Sequence, residues 1–231
     1  RLADAGIPMG VVSNAQGQIE AMLALGFGAR AATRQVVREV ARLALVPQIE
    51  RTKVVGIIAL LAFSVLNGKT QVLIDGFISR PTIFDVVLRR PVSSDAATIN
   101  YVMDEYRMRR LAAIIPAHSH WDHAMDVGAL ANRSSASIIG SESTANIARG
   151  AGVPEDQIIV AEPGSAYTFG NFTVTLLVSP HGPVGWGGSV PMPGTIDAPL
   201  EQPVPVQAYR EGRSYSIVIA HPHGTTLVQG S

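Results

Sequence analysis

The segment PAHSHWDHAMD, residues 116–126, sets His118, His120, Asp122 and His123 in the pattern H-x-H-x-D-H, and it holds half of the chain's 6 histidines. Three imidazoles and a carboxylate gathered on one loop would repel or desolvate one another without a cation, so the cluster reads as a metal site. In extended backbone alternate side chains point the same way. His118 and His120 can therefore grip one ion, while Asp122 and His123 turn with the start of the next helix toward a second position. The chain has no Cys, which removes disulfides, thiolate nucleophiles and thiolate ligands. Imidazole nitrogen and carboxylate oxygen suit Zn²⁺ best, with Fe or Mn as competitors. Such an ion acidifies bound water and polarises a carbonyl or phosphoryl oxygen, which is the chemistry of hydrolysis.

The elements around the cluster must deliver it to one place. Residues 111–117, LAAIIPA, form a short buried-strand pattern that runs straight into the histidines. The cluster then lies at the C-terminal end of a strand, where open α/β sheets place their ligands. Before it, Ser93, Ser94 and Asp95 are candidate N-caps of an amphipathic helix with Ile99, Val102, Met103 and Tyr106 on one face and Arg107, Arg109 and Arg110 in its last turn. After it, the spacing predicts a helix from Met125 to about Asn132, a strand over residues 136–139 and a helix over 143–149 closed by Gly150. Strands follow at 157–161, 166–169 and 171–179. Residues 182–212 contain six Pro and six Gly, so no regular element is expected there, and a loop of that length is usually a lid or a mobile segment. The runs SYSIVIA and TTLVQG then form a hairpin turned by HPHG.

At the other end, residues 54–63 and 70–75 flank Asn67-Gly68, a dipeptide suited to a two-residue hairpin turn, and Asp75 ends the second strand. The alternation of strand and helix from residue 54 onward predicts a layered α/β domain over residues 53–231. Residues 1–52 carry a strand, a polar turn at Ser13-Asn14 and two helical patterns, and read as an αβ appendage or fusion remnant. The apolar run at residues 54–66 is too short to span a bilayer. Eighteen basic residues balance 18 acidic ones, so no whole-molecule field favours nucleic acid, and a small-molecule substrate is expected. The compartment, cytoplasmic or exported after loss of a leader, and the oligomeric state stay open.

The motif and the strand before it resemble the metallo-β-lactamase fold superfamily, over residues 54–231. The resemblance implies a four-layer αβ/βα sandwich with metal at one edge of two sheets, and the KTQVLIDG segment looks like that family's usual opening hairpin. It also implies a further histidine about sixty residues on; His181, in LLVSPHGPVG, lies 61 residues after His120 and follows a strand. His118, His120 and His181 then look like the first metal site, with Asp122 and His123 on the second. Metal-held hydroxide would open an ester, lactone or β-lactam bond, with Asp122 orienting it. A phosphodiesterase on the same site, or a metal-binding protein without turnover, are the alternatives. Asp75 is a candidate partner for a ligand N–H. Trp121 and Trp186 are candidates for lining a substrate pocket.

The sequence departs from that family after residue 225. A bridging aspartate would be expected where TTLVQGS places Ser231, with a last histidine beyond it, so the domain reads as incomplete at its C-terminus and a one-metal site is a serious option. His221 and His223 sit at the far end of a strand, about 16 Å away at 3.3 Å per residue, and are expected to be solvated turn histidines. Residues 1–50 more weakly resemble a haloacid-dehalogenase-type phosphatase segment, with Ser13 in the phosphate-contacting place. The D-x-D pair of that family is absent, so no phosphatase activity is implied.

Overall fold

A computed structural model describes residues 70–182 and 189–229. The appendage at residues 1–52 with Ser13, the boundary at residue 53, the strand and turn at residues 54–68, Trp186 and Ser231 lie outside the described residues.

Apolar alternation builds two four-stranded sheets. The strands β1 (Gln71–Ile74), β3 (Leu111–Ile115), β4 (Ser137–Gly140) and β5 (Ile158–Val160) form a parallel sheet in the order β1-β3-β4-β5. The strands β6 (Ala166–Phe169), β7 (Phe172–Val178), β9 (Tyr215–His221) and β10 (Gly224–Gln229) form an antiparallel sheet in the order β10-β9-β7-β6. A small ladder joins β2 (Pro91–Val92) to β8 (Val204–Pro205).

Strand periodicity assigns the parallel sheet's two faces to two cores. Leu73, Ile114 and Ile138 pack with Ile99, Val102 and Met103 of α2 (Ala96–Glu105), Leu130 and Ala131 of α4 (Val127–Ser134), and Ile147 and Ala148 of α5 (Glu142–Gly150). Val72, Ile74, Ala113, Ile115 and Ile139 pack instead with Phe172, Val174, Leu176, Ile217 and Ile219 of the antiparallel sheet. The chain is thus a mixed α/β protein. Helices, parallel sheet and antiparallel sheet are three of the expected layers, and the outer face of the antiparallel sheet leaves Leu177 and Leu227 exposed.

Capping sets the helix starts. Asp95 accepts from the backbone N–H groups of Ala97 and Thr98 at 3.0 and 3.1 Å, and Ser141 accepts from Thr144 N–H at 3.3 Å; each satisfies donors that the first turn leaves orphaned. Several sequence expectations need correction. Helix α2 ends at Glu105, with Arg107 in the left-handed region at φ 52°, so the three arginines lie beyond the helix. The helix expected from Met125 to about Asn132 is α4, which begins two residues later at Val127, and a separate one-turn helix, α3 (Trp121–Ala124), precedes it. A short helix α1 (Ile83–Val87), opened by a Thr82/Asp85 capping box, lies in the connection between β1 and β2.

The long Pro- and Gly-rich segment also differs from expectation. It contains β8 and a 3₁₀ turn at Val206–Ala208, and it is fastened to α5. Ile196 N–H donates to Ser143 Oγ at 2.9 Å, Asn146 Nδ2 donates to the Ile196 carbonyl at 2.7 Å, and Leu200 N–H donates to the Asn146 carbonyl at 2.9 Å. Gly150 has no side chain because a Cβ there would come within 2.2 Å of the Leu200 carbonyl carbon. These bonds satisfy backbone groups that proline-rich sequence cannot pair in a ladder.

Candidate metal centre

Parallel strands end on one edge, and the chemistry-bearing residues collect there. Asp75 follows β1 directly, the segment from His118 to His123 follows β3 after Pro116 and Ala117, and Ser141 follows β4. The antiparallel sheet meets the same edge: Tyr215 N–H at the start of β9 donates to the Ala117 carbonyl at 2.8 Å, and Ser179 N–H donates to the Ser214 carbonyl at 3.0 Å. His181, three residues past the end of β7, therefore arrives beside the cluster from far along the chain.

His118, His120 and His181 offer ligand atoms that all lie within 4.8 Å of one another. His118 Nε2 and His120 Nδ1 face each other at 2.9 Å, and the His118 ring centroid is 4.7 Å from that of His181. His118 and His120 are 1% and 2% exposed. The inward pair, His118 Nε2 and His120 Nδ1, is the one a cation would join, and burying two such imidazoles edge to edge is costly for packing histidines. Burial, with the neighbouring His123, His120 and His181, pushes the His118 imidazole down to about 2. Burial likewise lowers His120. Both are held in the neutral form that ligates. The donor set, three imidazoles with converging lone pairs, fits Zn²⁺ or a similar transition ion.

These shifts make the metal-free fold acid-sensitive. His118 is depressed in the folded chain and takes up its proton near pH 6.5 when unfolded, so stability is complete above that value and falls as pH drops below it. At pH 5 this histidine alone costs about 2 kcal/mol, at 1.36 kcal/mol per unit. His120 acts in the same direction, and His123, which is raised, opposes them. The melting temperature of chelator-treated protein should therefore fall between pH 7.5 and pH 5; a flat or rising profile would contradict the neutral, crowded cluster.

The other sequence candidates take distinct places. His123 is not within the group of three, although its ring centroid lies 4.0 Å from that of His118. Its Nδ1 sits 3.0 Å from Asp75 Oδ1, a close charge contact that misses the alignment of a full hydrogen bond. Burial lowers the His123 imidazole, but Asp75 and then Asp122 outweigh it and the net shift is upward. Asp75 Oδ1 also accepts from the Ala117 N–H at 2.7 Å, tying the end of β1 to the residue before the first ligand. Asp122 is half exposed, with Oδ2 3.8 Å from His123 Nε2, and it stands outside the histidine triad. Trp121 meets the Phe77 ring edge-on at 5.2 Å and packs against the helical core. His221 is the last residue of β9 rather than a solvated turn residue: its ring lies 4.9 Å from Phe172 and its Nε2 is buried. His223 is exposed.

Sequence reasoning missed two residues here. The Met192 carbonyl and the Glu211 carboxylate both act on the His120 ring. Neither carries a motif, and the only sequence signal is that Glu211-Gly212 closes the long loop just before a strand.

A family model described as "Uncharacterised protein family (UPF0014)" matches residues 9–63. The match covers the stretch that resembled a haloacid-dehalogenase-type segment, a resemblance that gains no support from it, and it ends before the histidine cluster. No curated protein matches the chain. Among solved structures, the chain is similar to a metallo-β-lactamase with a HARLDQ motif from Cronobacter sakazakii, at 17% identity over 69% of this chain and 53% of that one, with a TM-score of 0.39. It is similar to the metallo-β-lactamase fold protein YhfI from Bacillus subtilis, at 18% identity over 70% and 50% of the two chains, with a TM-score of 0.38. It is also similar to CmlA, a diiron β-hydroxylase from Streptomyces venezuelae, at 13% identity over 70% and 26%, with a TM-score of 0.41. The likeness thus spans about half the length of the first two solved chains and about a quarter of the third.

Proposed function

We propose that the chain is a metal-dependent hydrolase that opens an ester, lactone or β-lactam bond in a small molecule, with Zn²⁺ held by His118, His120 and His181. The observation that carries this reading is the convergence of three imidazoles, two of them buried, within 4.8 Å at the shared edge of two sheets. Bound there, the ion would acidify a water and polarise the attacked carbonyl.

The chain's own residues supply the rest. His118 and His120 stay neutral because burial opposes their protonation, so they keep lone pairs available at neutral pH. Asp122, half exposed beside the cluster, is placed to accept a proton at a carboxylate oxygen or, with His123, to hold a second ion. Asp75 fixes His123 and the Ala117 N–H, and so holds the β3 end in place. Trp121, with Trp186, is assigned to the pocket wall. Residues 53–231 are the hydrolase domain and residues 1–52 an appendage or fusion remnant; the family match at residues 9–63 runs past that boundary. No described helix is long and apolar enough to cross a membrane.

Elemental analysis of purified protein should find one to two transition ions per chain, and exhaustive chelation should remove hydrolysis of a chromogenic lactone or β-lactam, with Zn²⁺ restoring it. Turnover that survives chelation would sink the metal mechanism. Faster release from a phosphodiester reporter than from a lactone would assign the phosphodiesterase alternative, and stoichiometric metal with no turnover on either would reduce the protein to a metal binder.

A further inference from the structure

Ser119, the residue between His118 and His120, is 0% exposed, and its side chain turns to neighbours other than the histidine rings. Its Oγ lies 3.1 Å from Ser141 Oγ and 3.4 Å from Thr144 Oγ1, and those two oxygens are themselves 3.4 Å apart. Ser141 and Thr144 are 6% and 1% exposed, so three hydroxyls meet in one buried knot at the start of α5. A buried hydroxyl is tolerated where it finds a partner, and here each finds the others.

Glycines let the chain close around this knot. At Gly212, φ 67°, a Cβ would come within 2.5 Å of Ser119 Oγ and 2.9 Å of Ser141 Oγ; at Gly140 a Cβ would come within 2.7 Å of the Thr144 side chain. The turn that bears Gly212 also takes the Ser119 N–H, which donates to the Glu211 carbonyl at 3.0 Å. Two residues earlier, Ala117 N–H donates to Asp75 Oδ1 at 2.7 Å and the Ala117 carbonyl accepts from Tyr215 N–H at 2.8 Å. The ligand-bearing segment is thus fastened to the end of β1, to the approach to β9 and, through the Ser119 hydroxyl, to the start of α5.

We propose that Ser119 is a positioning residue for the metal centre: its hydroxyl, lodged against Ser141 and Thr144 under Gly212, fixes the backbone from which His118 and His120 both reach the ion. The inference rests on reading His118, His120 and His181 as metal ligands. The first two flank Ser119, so a shift of that one residue moves both imidazoles at once, and His118 Nε2 and His120 Nδ1 already face each other at 2.9 Å. A ligand set grips its ion well only when held to within about 0.5 Å of the required geometry. Ser119 acts through its two neighbours and is not itself a ligand.

The test is metal binding rather than turnover. Zn²⁺ affinity is measured by competition with a chromogenic chelator, and the visible spectrum is recorded with Co²⁺ in place of Zn²⁺. The proteins compared are wild type, Ser119→Ala, Ser141→Gly, the double variant and Ser134→Ala. Ser119→Ala leaves Ser141 and Thr144 to bond each other, so the metal-free melting temperature should stay near wild type. Its Zn²⁺ affinity should fall about 10-fold, the low end of the range for residues that orient metal ligands, with an altered Co²⁺ spectrum. Ser141→Gly keeps a residue that caps a helix almost as well and should move both readouts in the same direction. Because the two hydroxyls act through one contact, the double variant should bind Zn²⁺ about as well as Ser119→Ala rather than show the summed loss. Ser134→Ala removes a hydroxyl that donates to the Leu130 carbonyl at 2.7 Å, just before β4 and so at the opposite end of the parallel sheet; it should leave affinity and spectrum unchanged. If Ser119→Ala folds poorly, Ser141→Gly decides the matter. Wild-type affinity and spectrum in both Ser119→Ala and Ser141→Gly, or an equal loss in Ser134→Ala, would overturn the proposal while leaving the metal site intact. A wild-type protein that binds neither ion would instead remove the metal reading on which it rests.

Discussion

His118→Ala is expected to remove metal binding and hydrolysis together. His118 is the hub of the cluster: its ring centroid lies 4.6 Å from that of His120, 4.0 Å from His123 and 4.7 Å from His181. Losing an outer partner of a ligand costs about 10- to 100-fold in affinity, and losing the ligand itself should exceed that range. The same variant separates a metal ligand from a packing histidine through its acid behaviour. In the metal-free wild type, keeping His118 neutral costs about 2 kcal/mol at pH 5 by the 1.36 kcal/mol per unit relation, a cost that alanine does not carry. Metal-free His118→Ala should therefore lose less stability than wild type between pH 7.5 and pH 5, although it cannot hold Zn²⁺ at either pH. His221→Ala, at the far end of β9 from the Tyr215 to Ala117 bond, is the control and should leave metal content at the wild-type level. Equal Zn²⁺ content in His118→Ala and His221→Ala would refute the assignment of the triad.

How much of this was legible in the sequence follows from which interactions are local. The strand at residues 111–115 and the histidine segment after it were readable because an apolar run and a motif lie next to each other in the chain. The partnership of His181 with His118 and His120 was legible only through family resemblance, since it depends on β7 and β9 pairing beside β3, a tertiary fact with no local trace. Asp75 is similar: its end-of-strand position was visible, but its contacts with the Ala117 N–H and His123 follow from parallel pairing of β1 and β3. The sequence places a helix start at Met125, whereas the helical course of residues 121–134 is interrupted there, between α3 and α4. What interrupts it is long-range: Gln202 Nε2 and Ser94 Oγ both donate to the Met125 carbonyl, taking an acceptor that a continuous helix would have used itself. The same holds for the Pro- and Gly-rich segment, whose composition excluded long elements but could not show that Asn146 and Ser143 side chains would satisfy its backbone.

That break leads to the second large effect, Asp126→Ala. Asp126 is fully buried, and its Oδ2 accepts from the N–H groups of both Ile78 and Ser79, at 2.8 and 2.6 Å. These donors belong to the loop that leaves β1 immediately after Asp75, and Ile78 and Ser79 are themselves 7% and 2% exposed. Removing the carboxylate strands two buried N–H groups, each costing about 1 to 3 kcal/mol, so a loss of about 3 to 5 kcal/mol in urea unfolding is expected. That is a large share of the roughly 5 to 15 kcal/mol that holds a domain together. Asp126→Asn keeps an oxygen acceptor of nearly the same shape and should lose less. The consequence should reach the metal centre, because the loop that Asp126 anchors begins at the carboxylate that holds His123 and the Ala117 N–H. Zn²⁺ affinity should therefore fall more in Asp126→Ala than in Ile147→Ala, a core truncation on α5, which packs on β4 and β5, expected to cost a similar amount of about 2 to 5 kcal/mol. Equal affinities in the two variants, at matched loss of stability, would mean that Asp126 supports the fold alone and that the β1 loop does not carry its position to the site.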